Sequence, residues 1–130
     1  VLSRQGTNPL KELSALLTRE ELIRMQMCVE ETFVSDAVVK YIVDLITATR
    51  QNENILRGAS PRATLATIAM AKALAQLRGR DYVLPEDIKE VFVPTITHRL
   101  LLSPKAEGAG KTAGHVLQDI LAAVDAPKLN

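Results

Sequence analysis

The sequence predicts an all-α domain, a small helical bundle followed by a C-terminal tail helix. Three observations predict it. Asp36, Lys40, Asp44, Thr47 and Gln51 fall at steps of four, four, three and four, one polar stripe down a helix, with Val38, Ile42, Leu45 and Ile46 opposite. Most apolar runs follow a hydroxyl side chain or a proline placed where a helix starts. The 130 residues are 47% apolar but only 3% aromatic, so the core is built from Leu, Ile, Val, Ala and Met. One domain is the expectation at this length.

Residues 1 to 17 have weak periodicity, with Gly6, Asn8 and Pro9 as turn residues, and read as an irregular lead-in. Thr18-Arg19-Glu20-Glu21 has the form of a capping box and opens the first firm helix, which fades between Glu30 and Phe33. Leu22, Ile23, Met25, Met27 and Val29 supply its apolar side. Ser35 opens the second helix, where Val39 and Val43 widen the buried side and Asp36 precedes Lys40 in the favourable order for an ion pair. Gln51 to Gly58 is a polar loop. Ser60 and Pro61 start the third helix, which runs to about Arg78 and stops at Gly79. Its six alanines between Ala63 and Ala75, with Leu65, Ile68, Met70, Leu74 and Leu77, make it apolar nearly all round and predict a central position. After the extended link Asp81-Tyr82-Val83, Pro85 starts a fourth helix that Pro94 breaks or kinks, with a short turn continuing to about Leu102. Ser103 to Gly110 is loop, and Thr112 caps a last helix with Val116, Leu117, Ile120, Leu121 and Val124 inward.

The formal charge of +1 argues against a general nucleic-acid or membrane-surface binder. No apolar run is long enough to span a bilayer. One cysteine, Cys28, excludes an internal disulfide and suits a reducing cytosol. Two histidines and one cysteine, far apart, are too few for an ordinary zinc site. The chain starts at Val1 without a signal-peptide pattern and reads as a piece of a longer protein.

The sharpest candidate for chemistry is Gly58-Ala59-Ser60-Pro61-Arg62. A cation in the first turn opposes the helix macrodipole, and residues 54–80 carry Arg57, Arg62, Lys72, Arg78 and Arg80 with no acid. An arriving anion would reconcile them, since free N–H groups at a helix start and a guanidinium fork both suit phosphate. Gly58 permits a tight loop, by a positive φ or another close turn. The competing reading makes Arg62 a solvated arginine, or one paired with Glu53 or another carboxylate. Gly108-Ala109-Gly110-Lys111-Thr112 resembles the end of a phosphate-binding P-loop, but Lys105 and Pro104 stand where the pattern needs a glycine and a strand. His98 and His115 read as structural, Glu20/Glu21, Glu30/Glu31 and Glu86/Asp87 as helix-end solvation, Met25, Met27 and Met70 as core filler, and Cys28 as an inert buried thiol.

Gly58-Ala59-Ser60-Pro61-Arg62-Ala63 resembles the sensor-2 motif of the MoxR-type AAA+ ATPases. Leu77 to Val83 followed by Pro85-Glu86-Asp87-Ile88 resembles the later part of their helical lid, and Val39 to Arg50 the lid helix ahead of sensor 2. Thr97-His98-Arg99-Leu100, Ser103-Pro104 and Lys111-Thr112-Ala113 are similar to their C-terminal tail, and Asn8-Pro9-Leu10 to the stretch after the ATPase core. The resemblance covers nearly the whole chain, most specifically at the sensor-2 block.

The resemblance implies a segment from a missing AAA+ core at 1–17, a helical lid at 18–103 and a tail helix at 104–130. It implies that Arg62 is the sensor-2 arginine, with Ser60 and Pro61 on the phosphate side of ATP. ATP and Mg2+ would be held mainly by the core, which also carries the Walker motifs, sensor 1 and the arginine finger. Neighbouring subunits of a hexameric ring, client proteins for chaperone-like remodelling and a cytoplasmic location follow in the same way. The isolated chain would bind ATP weakly or not at all and would not hydrolyse it. Two departures stand out. Leu84 replaces the frequent capping Thr, giving the fourth helix a less firm start, and the loop from Gly108 to Gly110 is richer in glycine. The rivals are a histone-fold-like module that dimerises or binds DNA, and a plain helical protein-interaction domain.

Overall fold

The structure, a computed structural model, describes residues 13–128. It is helical apart from one two-stranded ribbon. The order is α1 (Arg19–Glu31), α2 (Asp36–Gln51), β1 (Ile55–Arg57), α3 (Pro61–Leu77), α4 (Pro85–Ile96), a 3-10 turn (Thr97–Arg99), β2 (Leu101–Leu102), α5 (Pro104–Gly108) and α6 (Ala113–Ala123). Residues 1–12 of the predicted lead-in lie outside the described residues, and 13–17 are irregular.

Local chemistry sets the helix ends. Hydroxyls of Thr18, Ser35, Ser103 and Thr112 each accept a backbone N–H three residues on. At Thr18 the box is complete, because the Glu21 carboxylate accepts the Thr18 N–H at 2.7 Å. The Thr18 N–H, together with the Thr18 hydroxyl donating to the same carboxylate at 2.9 Å, holds the Glu21 carboxyl below its ordinary pKa. α3 stops at Gly79, with φ of 71°, in a Schellman arrangement: Arg80 N–H donates to the Ala75 carbonyl and Gly79 N–H to Gln76.

The core is formed by α2, α3, α4 and α6. Val38, Tyr41, Ile42, Leu45 and Ile46 of α2 meet Ile88, Val91, Phe92 and Ile96 of α4 and Val116, Leu117 and Ile120 of α6. α3 enters through its smallest face, Ala63, Thr67, Ala71 and Ala75, which lets α4 and α2 approach closely. The Thr67 hydroxyl is satisfied within the helix by the Ala63 carbonyl at 2.9 Å. α3 packs against α1, α2 and α4, as its central position implies, but its longer apolar side chains are not all enclosed. Leu65 is 68% exposed and Leu77 77% exposed.

Several other expectations are corrected. α1 lies against α3 but buries no residue, so Met25 and Met27 are exposed, as is Met70 of α3, and Cys28 is exposed. Lys40 pairs with Asp44 instead of Asp36, and Val43 is exposed. The Gln51–Gly58 loop contains β1, antiparallel to β2 with Ile55 opposite Leu102. Ser103–Gly110 contains α5. α4 runs through Pro94 to Ile96, so the proline does not break it, and Thr95 and Ile96 beyond it are buried.

Asp87 is the largest correction among the charges. Its carboxylate is fully buried and accepts from Arg78 at 3.0 Å, from both terminal nitrogens of Arg80 at 2.8 and 2.6 Å, and from the Leu84 N–H at 2.8 Å. Leu84 offers no capping oxygen, as the sequence implies, yet the reverse half of a capping box is present. Burial pushes the Asp87 carboxyl up, but the hydrogen bonds from Arg80, Leu84 and Arg78 outweigh it and hold the group below its ordinary range. The end of α3 is thereby fastened to the start of α4.

Candidate functional site

The residues around Arg62 are built from the last turn of α2 upward. Thr49 is buried, and its hydroxyl donates to the Ile46 carbonyl at 2.6 Å while accepting the Ala59 N–H at 3.0 Å. The Ala59 carbonyl accepts from Arg50 Nε at 2.8 Å. Both backbone groups of the buried Ala59 are thus bonded to one helix end. Gly58 lies against the same turn, where a Cβ would stand 2.7 Å from the Arg50 Cα. The expectation of a positive φ at Gly58 is not met; among the described glycines only Gly79 and Gly110 have one. The close approach holds, and the close neighbour is α2. Gly58→Ala is expected to cost about 1–3 kcal/mol of stability, because a backbone atom cannot yield as a side-chain tip can. Urea unfolding of this chain measures it, and a neutral result would show that the turn can move off α2.

From this anchored turn the chain enters α3. Ser60 occupies the N-cap position, but its hydroxyl makes no cap bond there, a correction to the sequence expectation. Pro61 follows at the first helical position, and the first turn holds no acid. Arg62 is exposed and makes no ion pair or hydrogen bond with any described residue. An uncapped helix start and a free guanidinium therefore share one corner of the surface, both electropositive.

The other cations of the 54–80 tract separate from Arg62. Arg78 and Arg80 are held by Asp87, with Arg78 also on Glu90. Lys72 donates to the Glu30 carbonyl at the end of α1, a helix with no cation of its own in its last turn. Arg57 and Arg62 remain without ion pairs among the described residues, and Glu53 does not pair with Arg62.

The remaining candidates resolve as structure. Gly110, with φ of 72°, stops α5, with Lys111 N–H donating to Ala106 and Gly110 N–H to Glu107, while Thr112 caps α6. The glycine-rich segment is a helix stop followed by a helix start, and Lys111 Nζ is spent on Asn54 Oδ1 at 3.1 Å. His98 and His115 are exposed, and the described residues hold no cluster fit for a metal ion. An apolar groove of about 580 Å³ lies between α1 and α3, lined by Leu22, Met25, Val29, Ala73 and Leu77, and a smaller hollow adjoins Phe33 and Asp81. Neither reaches Ser60, Pro61 or Arg62. Thr49 and Arg50 carried no signal of their own in the sequence, since ten and nine residues separate them from Ala59.

Comparison with known proteins bears on this geometry. The family model described as AAA lid domain matches residues 47–120, which include the Thr49–Arg62 turn and end in α6. The chain is 35% identical over 128 residues to an uncharacterized protein, YeaC, of Bacillus subtilis, covering 98% of this chain and 40% of that protein. It is 35% identical over 139 residues to the chaperone MoxR1 of Mycobacterium tuberculosis, covering 100% of this chain and 37% of that protein. A crystal structure from Cytophaga hutchinsonii, of a protein described there as a candidate ATPase, superposes with a TM-score of 0.86 at 31% identity, over 97% of this chain and 40% of that one. The chain thus spans about two fifths of the length of the relatives it matches. The match assigns the helical arrangement to a lid rather than to a histone-fold-like module. With its helical core, its turn anchored on α2 and its likeness to MoxR proteins along the whole sequence, the chain belongs to the AAA lid domain family, as a lid of the MoxR type.

Proposed function

We propose that the chain is the lid of a longer MoxR-type ATPase and that Arg62 is its sensor-2 arginine, contacting the outer phosphates of ATP bound by the core. One observation carries this reading. Arg62 is exposed and unpaired among the described residues, on an uncapped helix start, while Arg78, Arg80 and Lys72 of the same tract have partners. Helix stability alone favours no cation there. The guanidinium fork fits a phosphate, and the positive end of the α3 dipole lies beside it. The described residues offer no acidic cluster for Mg2+, which belongs to the core in this reading.

Bound ATP supplies the phosphoanhydride whose cleavage powers the protein. Arg62 binds and orients its outer phosphates, and opposes the negative charge that develops during transfer. Because Arg62 sits on the rigid end of the bundle, nucleotide state sets the lid angle. A hexameric ring, in a cytoplasmic setting, then passes that motion to neighbouring subunits for chaperone-like remodelling of client proteins. The test is Arg62→Ala in the full ATPase, beside Arg57→Ala as a control on the other cation of the 54–80 tract without an ion pair among the described residues. Loss of ATP turnover in the first with retention in the second is the expected result; unchanged turnover in Arg62→Ala overturns the reading.

A further inference from the structure

We propose that Thr49 and Arg50, at the end of α2, are positioning residues for Arg62, an inference that rests on the sensor-2 reading of that arginine. The Ala59 N–H donates to Thr49 Oγ1 at 3.0 Å, and the Ala59 carbonyl accepts from Arg50 Nε at 2.8 Å. These two bonds fix the peptide plane on each side of Ala59. Pro61 locks φ one residue before Arg62, so little freedom separates the fixed residue from the guanidinium's backbone. No side chain caps the first turn of α3, so nothing local to that helix sets its entry direction. The direction is set from α2, which is itself immobilised by Val38, Tyr41, Ile42, Leu45 and Ile46 in the core. Thr49 suits the task because its hydroxyl proton is committed to the Ile46 carbonyl, leaving a lone pair aimed at Ala59. Arg50 suits it because Nε, nearest the stem, makes the bond.

The geometry separates two jobs that sequence alone merges. α3 carries the phosphate-facing charge, and α2 aims it. Loosening the clamp should leave Arg62 charged and exposed but spread over several directions, weakening nucleotide contact without removing it.

The experiment measures ATPγS affinity by titration, together with thermal unfolding, in the full ATPase chain. Thr49→Val keeps the shape and removes the hydroxyl, Thr49→Ser restores the hydroxyl, and Arg50→Ala removes the second bond. Thr49→Val and Arg50→Ala are each expected to weaken ATPγS binding about 3–10-fold, with Thr49→Ser within about twofold of the parent. In an Arg62→Ala background, Thr49→Val should add no further loss, since a positioning residue has nothing left to position. Should Thr49→Val fail to fold, Arg50→Ala carries the test, because that side chain lies on the surface. Normal ATPγS affinity in Thr49→Val and Arg50→Ala, with a loss in Arg62→Ala, overturns the clamp and leaves the sensor-2 reading standing. Losses that add fully to that of Arg62→Ala also overturn it, as the mark of a general folding defect. No loss in Arg62→Ala itself overturns both.

Discussion

Asp87→Ala is expected to lower the unfolding free energy of this chain by about 3 kcal/mol, the low end of the range for breaking a buried ion pair. The carboxylate is fully buried and receives four hydrogen bonds, three from guanidinium groups and one from the Leu84 N–H. Its removal leaves Arg80 without an acid and Arg78 with Glu90 alone among the described residues, and takes away the side chain that accepts the Leu84 N–H at the α4 start. The low end applies because the Arg78 and Arg80 side chains are 41% and 19% exposed and can draw in water. Asp87→Asn should cost about half as much, since an amide oxygen can still receive the Leu84 N–H. Urea unfolding at neutral pH measures both, and a loss below about 1 kcal/mol for Asp87→Ala would mean the network contributes little.

The same carboxylate predicts an acid limb. Its pKa is lowered in the folded chain, so its contribution is complete above the unfolded value near ~3.9 and is lost as pH falls through the folded value. The stability gap between the parent and Asp87→Ala should therefore be constant at neutral pH and shrink below about pH 4. A gap that widens on acidification would contradict the pairing.

Arg62→Ala is expected to lower kcat/KM for ATP hydrolysis by the full ATPase about 10–100-fold, the equivalent of the roughly 1.5–3 kcal/mol of a hydrogen bond to a charged group. The stability of this chain should change by less than about 1 kcal/mol, and in the upward direction, because a cation leaves the positive end of α3. Arg62→Lys should recover part of the activity, since an ammonium keeps the charge and loses the fork. Kinetics on the full enzyme and melting of the 130-residue chain together decide it. A large loss of stability with little loss of turnover would make Arg62 a structural residue.

The legible parts of this protein are those whose causes lie within a few residues. Thr18 with Glu21, Ser35, Thr112 and the glycine stop at Gly79 act across one helical turn, and each is found where its sequence places it. The illegible parts need partners from afar. Ser60 has the right residue type at the right place, yet its hydroxyl is not used, while the preceding Ala59 is bonded to Thr49 and Arg50 of α2. Glu86 and Asp87 look alike at the start of a helix; only the return of α3 through Gly79 brings two arginines onto Asp87 and buries it. Residues 103–110 read as loop because a single turn of helix carries too few positions for a period to emerge.

α3 shows the division most clearly. Its sequence determined that it is a helix, where it starts and stops, and that a cation stands in its first turn. A helix apolar nearly all round cannot declare which face it buries, because the period carries no phase when both sides are apolar. Tertiary packing chose the alanine face, since only small side chains let α2 and α4 come close, and left Leu65 and Leu77 outside. That choice of face, together with the α2 clamp on Ala59, is what leaves Arg62 exposed at the surface.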